Sequence, residues 1–139
     1  MSRRIDRIDY VELLTSIKKA VNSFEDILET TKTVLNEVRA YGYSENIAYI
    51  VRKLERMYNK LLETVDGIVI DNSYGDNELL YHLTTLIDYI VHVNIAYQED
   101  LLTEMREYVR DNKQRAMIDK ALSVSNNIRN LLNNLIYTV

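Results

Sequence analysis

Apolar side chains recur in alternating steps of three and four residues along most of the chain, a spacing typical of amphipathic helices. The first segment runs from about Asp9 to Ala40. Its apolar stripe continues without a break through Tyr10, Leu14, Ile17, Val21, Phe24, Leu28, Thr31, Leu35 and Val38. A period near 3.5 residues marks the seam of a helix that packs lengthwise on its partners. We therefore predict one long helix here, roughly 45 Å from end to end.

Three further segments show the same period. The second begins after Ser44, which is a suitable N-cap, and its stripe comprises Ile47, Ile50, Leu54, Met57, Leu61, Val65 and Ile68. The third runs from about Asn77 to Val109, with Leu79, Leu83, Leu86, Ile90, Val93 and Tyr97 as its stripe. The fourth runs from about Asn112 to Tyr137, with Met117, Ala121, Val124, Ile128, Leu131 and Leu135.

Four amphipathic segments with short connections predict an all-α, antiparallel four-helix bundle. The chain contains no proline, which favours long and unbroken helices. We predict one domain over residues 1–139, with residues 1–8 as a basic N-terminal arm. A helical hairpin exchanged between two chains would give the same pattern.

The third segment is more apolar than a bundle helix requires. The stretch LLYHLTTLIDYIVHVNIAYQ, residues 79–98, contains one charged residue, Asp88. We predict that a second copy of the chain covers the excess, with an interface formed by Leu80, Ile87, Tyr89, Val91, Ile95, Tyr97, Leu132 and Tyr137. Tyr81, Tyr89 and Tyr97 are eight residues apart, which in an α-helix makes them drift by about 80° per step. We therefore expect these tyrosines to spiral around the helix instead of lining one groove.

Charge is distributed unevenly along the chain. Residues 71–108 contain eight acidic side chains and one basic one, whereas residues 109–139 contain five basic and two acidic side chains. One interpretation is that the third and fourth helices have complementary faces. The other is an acidic surface that meets a basic partner, formed by Glu99, Asp100, Glu104 and Glu107.

Two groups of basic residues invite comparison with phosphate-binding surfaces. Arg3, Arg4 and Arg7 precede the first helix, and such an arm can make non-specific contacts with double-stranded DNA. The second helix carries a stripe of Arg52, Lys53, Arg56 and Lys60, with Glu55 and Glu63 interleaved. That stripe fits either phosphate contact or an ordinary solvated face.

No motif identifies a reaction, a metal or a cofactor, and we predict a protein that is not an enzyme. The chain has no cysteine, and its three glycines cannot build a glycine-rich phosphate loop. His82 and His92 are the only histidines, and they point about 80° apart around one helix, so they cannot share a metal ion. Asp88 precedes His92 by four residues and forms either a dyad or a local contact. The longest uncharged run is about ten residues, against about twenty for a membrane span.

Three stretches together suggest a relationship to a known group. They are the long first helix YVELLTSIKKAVNSFEDILETTKTVLNEV, the apolar LLYHLTTLIDYIVHV and the asparagine-rich end SNNIRNLLNNLIYTV. In these features the chain resembles the helical-bundle coat proteins of the large tailed spindle-shaped viruses of archaea.

The resemblance implies a capsid subunit that is assembled in the host cytoplasm and resides in the virion around double-stranded DNA. It also implies an alternative, because the same viral group includes a related helical protein that inhibits the host RNA polymerase. The acidic segment 71–108 would suit the basic channel of that enzyme. Since no motif aligns with a position here, the resemblance assigns no role to any residue.

Overall fold

The computed structural model describes residues 9–40, 42, 44–70 and 76–137, and in these ranges the chain is almost entirely helical. Helix α1 spans Asp9–Arg39, α2 spans Glu45–Ile70 and α4 spans Asn112–Tyr137. Between α2 and α4, helix α3 runs over residues 76–108 in three consecutive parts. These are the α-helix Asp76–Tyr89, a π-helical turn Ile90–Ile95 and the α-helix Ala96–Tyr108. Four helices and no strand in the described ranges confirm the predicted all-α bundle.

The core contains two apolar clusters, one towards each end of the bundle. The first draws on the N-terminal halves of α1 and α3 and the C-terminal halves of α2 and α4, represented by Ile17, Leu83, Val65 and Leu132. The second draws on the opposite halves, represented by Leu35, Leu102, Ile50 and Ile118. Neighbouring helices therefore run antiparallel, and the helices of one chain cover one another's apolar stripes.

Turn and cap residues lie at several of the described helix ends. Gly42 adopts φ +90°, which suits a residue without a side chain, and its N–H donates to the carbonyl of Arg39 at 3.2 Å. Ser44 immediately precedes α2, in the position predicted for an N-cap. Asp111 caps α4, because its Oδ2 accepts a hydrogen bond from the backbone N–H of Gln114 at 3.0 Å.

The predicted stripe of α1 from Leu14 onward and that of α2 form or border the core, and the side chain of Tyr10 lies outside the described structure. The predicted stripes of α3 and α4 require correction. In α3 the stripe holds as far as Ile90, and beyond it Val93 and Tyr97 are exposed while Asn94 and Gln98 are buried. The reason is the π-helical turn, which takes one residue more than an α-helical turn and so moves each later core position forward by one. In α4, Leu131 is exposed and its neighbour Leu132 is buried.

Candidate functional site

A groove opens between α2 and α3 on the side of the bundle where the two helices separate. The C-terminal part of α3 packs closely on α2, whereas its N-terminal part packs on α1 instead. The resulting groove has a volume of about 650 Å³, within the range of ligand and peptide sites in proteins. Its walls are formed by Lys53, Arg56, Met57, Lys60, Leu61, Thr64 and Ile68 of α2 and by His82, Thr85, Leu86, Tyr89, Val93, Asn94 and Tyr97 of α3.

The α3 wall of the groove presents a row of exposed apolar side chains, which we call the tyrosine row: Tyr89, Val93 and Tyr97. These residues are 51%, 43% and 41% exposed. In an unbroken α-helix, Tyr97 would lie about 80° around the axis from Tyr89. With one residue absorbed by the π-helical turn, the rotation corresponds to seven residues and leaves only about 20°. The prediction that Tyr89 and Tyr97 spiral apart is therefore wrong, and both line the same groove.

Asn94 is the one buried polar side chain among the residues that line the groove. It is 6% exposed, and its Oδ1 has no hydrogen-bond partner. A buried acceptor without a donor costs about 1–3 kcal/mol, since it has lost water without replacing it. The π-helical turn places this residue beside the groove, with its Oδ1 enclosed by the protein.

The α2 wall carries the positive charge of the groove. Lys53, Arg56 and Lys60, which we call the basic rim, all line it, and no acidic side chain of the described residues does so. The Nζ atom of Lys53 also lies 4.2 Å from the centre of the Tyr49 ring, a cation–π contact that holds its stem against α2. The groove thus combines an apolar floor with one positively charged edge.

The acidic residues predicted as a partner face divide into two groups. Glu99 forms an ion pair with Arg129 of α4, and Arg106 pairs with Asp119 of α4 at 2.7 Å, so the interpretation of complementary helices is supported. Glu99 is therefore engaged within the chain and is not part of a free acidic face. Asp100, Glu104 and Glu107, which we call the acidic stripe, are exposed, and no ion pair within the described ranges involves them.

Half of the residues predicted to form the oligomer interface lie in the core of a single chain. The side chains of Ile87, Val91, Ile95 and Leu132 are buried among the helices of a single chain, so the prediction that a second copy must cover them is wrong. The bundle hides them because α3 packs on α1 with its first part and on α4 with its π-helical turn. Leu80 is half-buried against the same cluster.

The remaining predicted site residues have different outcomes. Tyr89 and Tyr97 are exposed, as an interface residue must be, and they line the groove. Tyr137 ends α4, but its side chain lies outside the described structure, as do Arg3, Arg4 and Arg7 of the N-terminal arm.

Each histidine lies close to a carboxylate four residues before it on α3. His92 Nε2 is 3.2 Å from Asp88 Oδ1, and both side chains are more than half exposed, which is the local contact expected at this spacing. His82 lies at the groove with Glu78 at 3.9 Å. In the described ranges no three histidine or carboxylate side chains come together in a way that could hold a metal ion. None of the described helices combines the length and apolarity needed to cross a membrane.

Two buried features escaped prediction from the sequence, namely the groove with Asn94 and the hydrogen bond between Gln98 and Ser125. The available signal was the occurrence of Asn94 and Gln98, four residues apart, in or beside an otherwise apolar stretch. Polar residues at that spacing share one helix face, and the apolar residues around them imply that this face is buried.

The chain was compared with protein-family models, with curated proteins and with solved structures, and no match was found in any of the three. The resemblance to spindle-shaped virus coat proteins therefore stays a prediction that rests on the three quoted stretches.

Proposed function

We propose that this chain is a structural subunit that assembles with copies of itself, as a coat protein does in a virion that encloses double-stranded DNA. The observation that supports this proposal best is the exposed tyrosine row beside the α2–α3 groove. Tyrosine and other aromatic residues are enriched where proteins associate, because the ring is apolar and the hydroxyl tolerates water before assembly. An apolar row along a groove is also the kind of surface that marks an interaction site on a bundle.

The proposal predicts that the mass in solution rises with protein concentration. Light scattering after size-exclusion chromatography, over a hundredfold range of about 1–100 µM, would measure it, since interfaces of standard size span this range of affinity. Electron microscopy with and without double-stranded DNA would show whether the assemblies are shells or tubes and whether they enclose DNA.

A pair of matched variants distinguishes assembly from folding. Val93→Glu places a charge in the tyrosine row, and we expect a folded chain that stays monomeric. Val11→Glu makes the same change at an exposed valine of α1, away from the groove, and should assemble like the wild type. A wild-type chain that remains monomeric at every concentration would contradict the proposed function.

The second candidate function is a regulator that binds a basic channel of the host RNA polymerase. The observation in its favour is that Asp100, Glu104 and Glu107 are exposed on one helix of a bundle. Changing these three residues to lysine should then abolish binding to an archaeal RNA polymerase in a pull-down with purified proteins. Unchanged binding, or no binding by the wild type, would exclude this candidate.

A further inference from the structure

The basic rim and the acidic stripe have the same spacing when they are read in opposite directions along their helices. Lys53, Arg56 and Lys60 follow one another at steps of three and four residues. Read towards the N-terminus, Glu107, Glu104 and Asp100 also follow at steps of three and four. At a rise of 1.5 Å per residue these steps are about 4.5 Å and 6 Å long, and each set lies within roughly 60° of its helix circumference. Two antiparallel helices would therefore bring all three opposite charges together at once.

The two sets of charges are not paired with each other within one chain. The α3 wall of the groove ends at Tyr97, and the acidic stripe begins beyond it on the same helix. No ion pair of the described chain joins the rim to the stripe, whereas other charges of α2, α3 and α4 are paired, as in Lys32–Glu55 and Glu99–Arg129. Both sets thus remain free to meet another molecule.

We propose that the α2–α3 groove is the docking site for the acidic stripe of a second copy of this chain, with the two helices antiparallel. This inference rests on the proposed function and specifies its contact. Lys53 would face Glu107, Arg56 would face Glu104 and Lys60 would face Asp100, each pair at a surface that the neighbouring apolar row desolvates in part.

The docking helix also brings apolar surface to the groove. Tyr108 is exposed near the end of the same helix and adds an apolar ring beside the acidic stripe. An extended polyanion such as DNA matches the basic rim, but it brings no apolar surface for the tyrosine row.

The contact joins two different surfaces, so a pair of copies that makes it once leaves one groove and one acidic stripe unoccupied. Such a heterologous contact continues from copy to copy, and it closes into a ring or extends into a helical array according to the rotation that relates neighbours. The chain would therefore build rings or tubes when each pair makes the contact once, whereas two copies that make it reciprocally would close as a two-fold dimer.

Complementary charge reversal tests the docking directly. Variant A changes Lys53, Arg56 and Lys60 to glutamate, and variant B changes Asp100, Glu104 and Glu107 to lysine. In A alone and in B alone every contact would be repulsive, and we expect association to weaken roughly 10- to 1,000-fold. In an equimolar mixture each rim meets a stripe of opposite sign, so the mass should return to that of the wild type. A chain that carries all six changes should also assemble.

Two controls complete the experiment. Lys18→Glu, Lys19→Glu and Lys120→Glu together give the same net charge as variant A from exposed positions outside the groove, and this variant should assemble normally. Because the chain has no cysteine, a chain with Arg56→Cys and Glu104→Cys should form a ladder of disulfide-linked polymers on mild oxidation. The pair Lys18→Cys and Glu104→Cys should give no ladder.

The outcomes separate this inference from the function on which it rests. If the wild type assembles but variants A and B do so equally well, or if their mixture does not recover, the proposed docking is wrong and the proposed function stands. If DNA alone, and not a second copy, binds the basic rim, the docking is also wrong. A wild type that never exceeds the mass of one chain overturns both.

Discussion

Gln98 of α3 donates a hydrogen bond from Nε2 to the Oγ of Ser125 on α4 at 3.0 Å, and both residues are buried. The bond joins two helices within the core of the bundle. Gln98 faces inward because the π-helical turn before it shifts the buried positions of α3 forward by one residue. A buried polar pair of this kind contributes modestly when it is formed and costs far more when one partner is lost.

We expect Gln98→Met and Ser125→Ala each to lower the free energy of unfolding by about 1–3 kcal/mol, because each leaves one buried polar group without its partner. The double variant should lose less than the sum of the two, since it leaves neither group behind. Urea titrations followed by circular dichroism would measure all three. Ser123→Ala, at an exposed serine of the same helix, should change the free energy by less than about 0.5 kcal/mol. Additive losses would show that the bond is not formed in solution.

Ile87 is fully buried, whereas Val93 on the same helix is 43% exposed. We expect Ile87→Ala to lower the free energy of unfolding by about 2–5 kcal/mol, because it removes buried methyl groups and leaves a cavity. Val93→Ala should cost less than about 1 kcal/mol in the monomer and should act mainly on assembly. Denaturant unfolding at a concentration where the protein is monomeric would compare them. A larger loss of unfolding free energy for Val93→Ala than for Ile87→Ala would contradict the burial of Ile87 in the bundle and would favour its predicted place in an interface.

Deletion of Val93 tests the π-helical turn. When one residue is removed, the π-helical turn can become an α-helical turn. The core residues before and after it then still point into the core. We therefore expect a folded bundle with a cooperative unfolding transition and an unchanged helical signal. Deletion of Asn59, an exposed residue in the uninterrupted helix α2, turns every later core residue by about 100° and should abolish cooperative folding. Equal tolerance of the two deletions would argue against an extra residue in α3.

Tyr58 of α2 donates a hydrogen bond to Oε2 of Glu25 on α1 at 2.8 Å. Burial and this bond to a carboxylate raise the pKa of Tyr58 above its ordinary value of 10.0. A raised pKa means that the folded chain holds the phenol proton more tightly than the unfolded chain does. The resulting stability is fully present below the ordinary pKa and is lost as the pH rises through the higher pKa of the folded state.

We expect Tyr58→Phe to lower the free energy of unfolding by about 0.5–1.5 kcal/mol at neutral pH. Above pH 10, the ordinary tyrosine pKa, the difference between wild type and variant should shrink as the pH increases. Urea titrations at a series of pH values would follow it. In a chain that already carries Glu25→Ala, the same substitution should cost less, because the acceptor is gone. A difference that stays constant to the highest pH at which the chain folds would contradict the raised pKa.

The candidate site shows why periodicity alone is insufficient on α3. Val91 and Val93 are equally apolar. The alternation of three- and four-residue steps predicts that Val93 is buried, but in the structure Val91 is buried and Val93 is exposed. Tyr89 and Tyr97 are exposed, as the predicted interface requires, but their alignment along one groove depends on a turn that no local signal predicts. The sequence predicts the basic rim as part of a stripe on the second helix. It does not predict that this stripe lies opposite the tyrosine row.

The number of helices, their approximate ends and the buried faces of α1 and α2 are determined by the sequence itself. Glycine at a turn, caps such as Asp111 and an unbroken 3.5-residue period act through neighbours a few residues apart, so they need no knowledge of the rest of the fold. Only the tertiary structure decided which side of α3 is buried, where α2 and α3 part, and which acids of α3 pair with α4. Where a helix is apolar on several sides, its own pattern allows more than one of its faces to be buried. The packing of the other three helices determines which face that is.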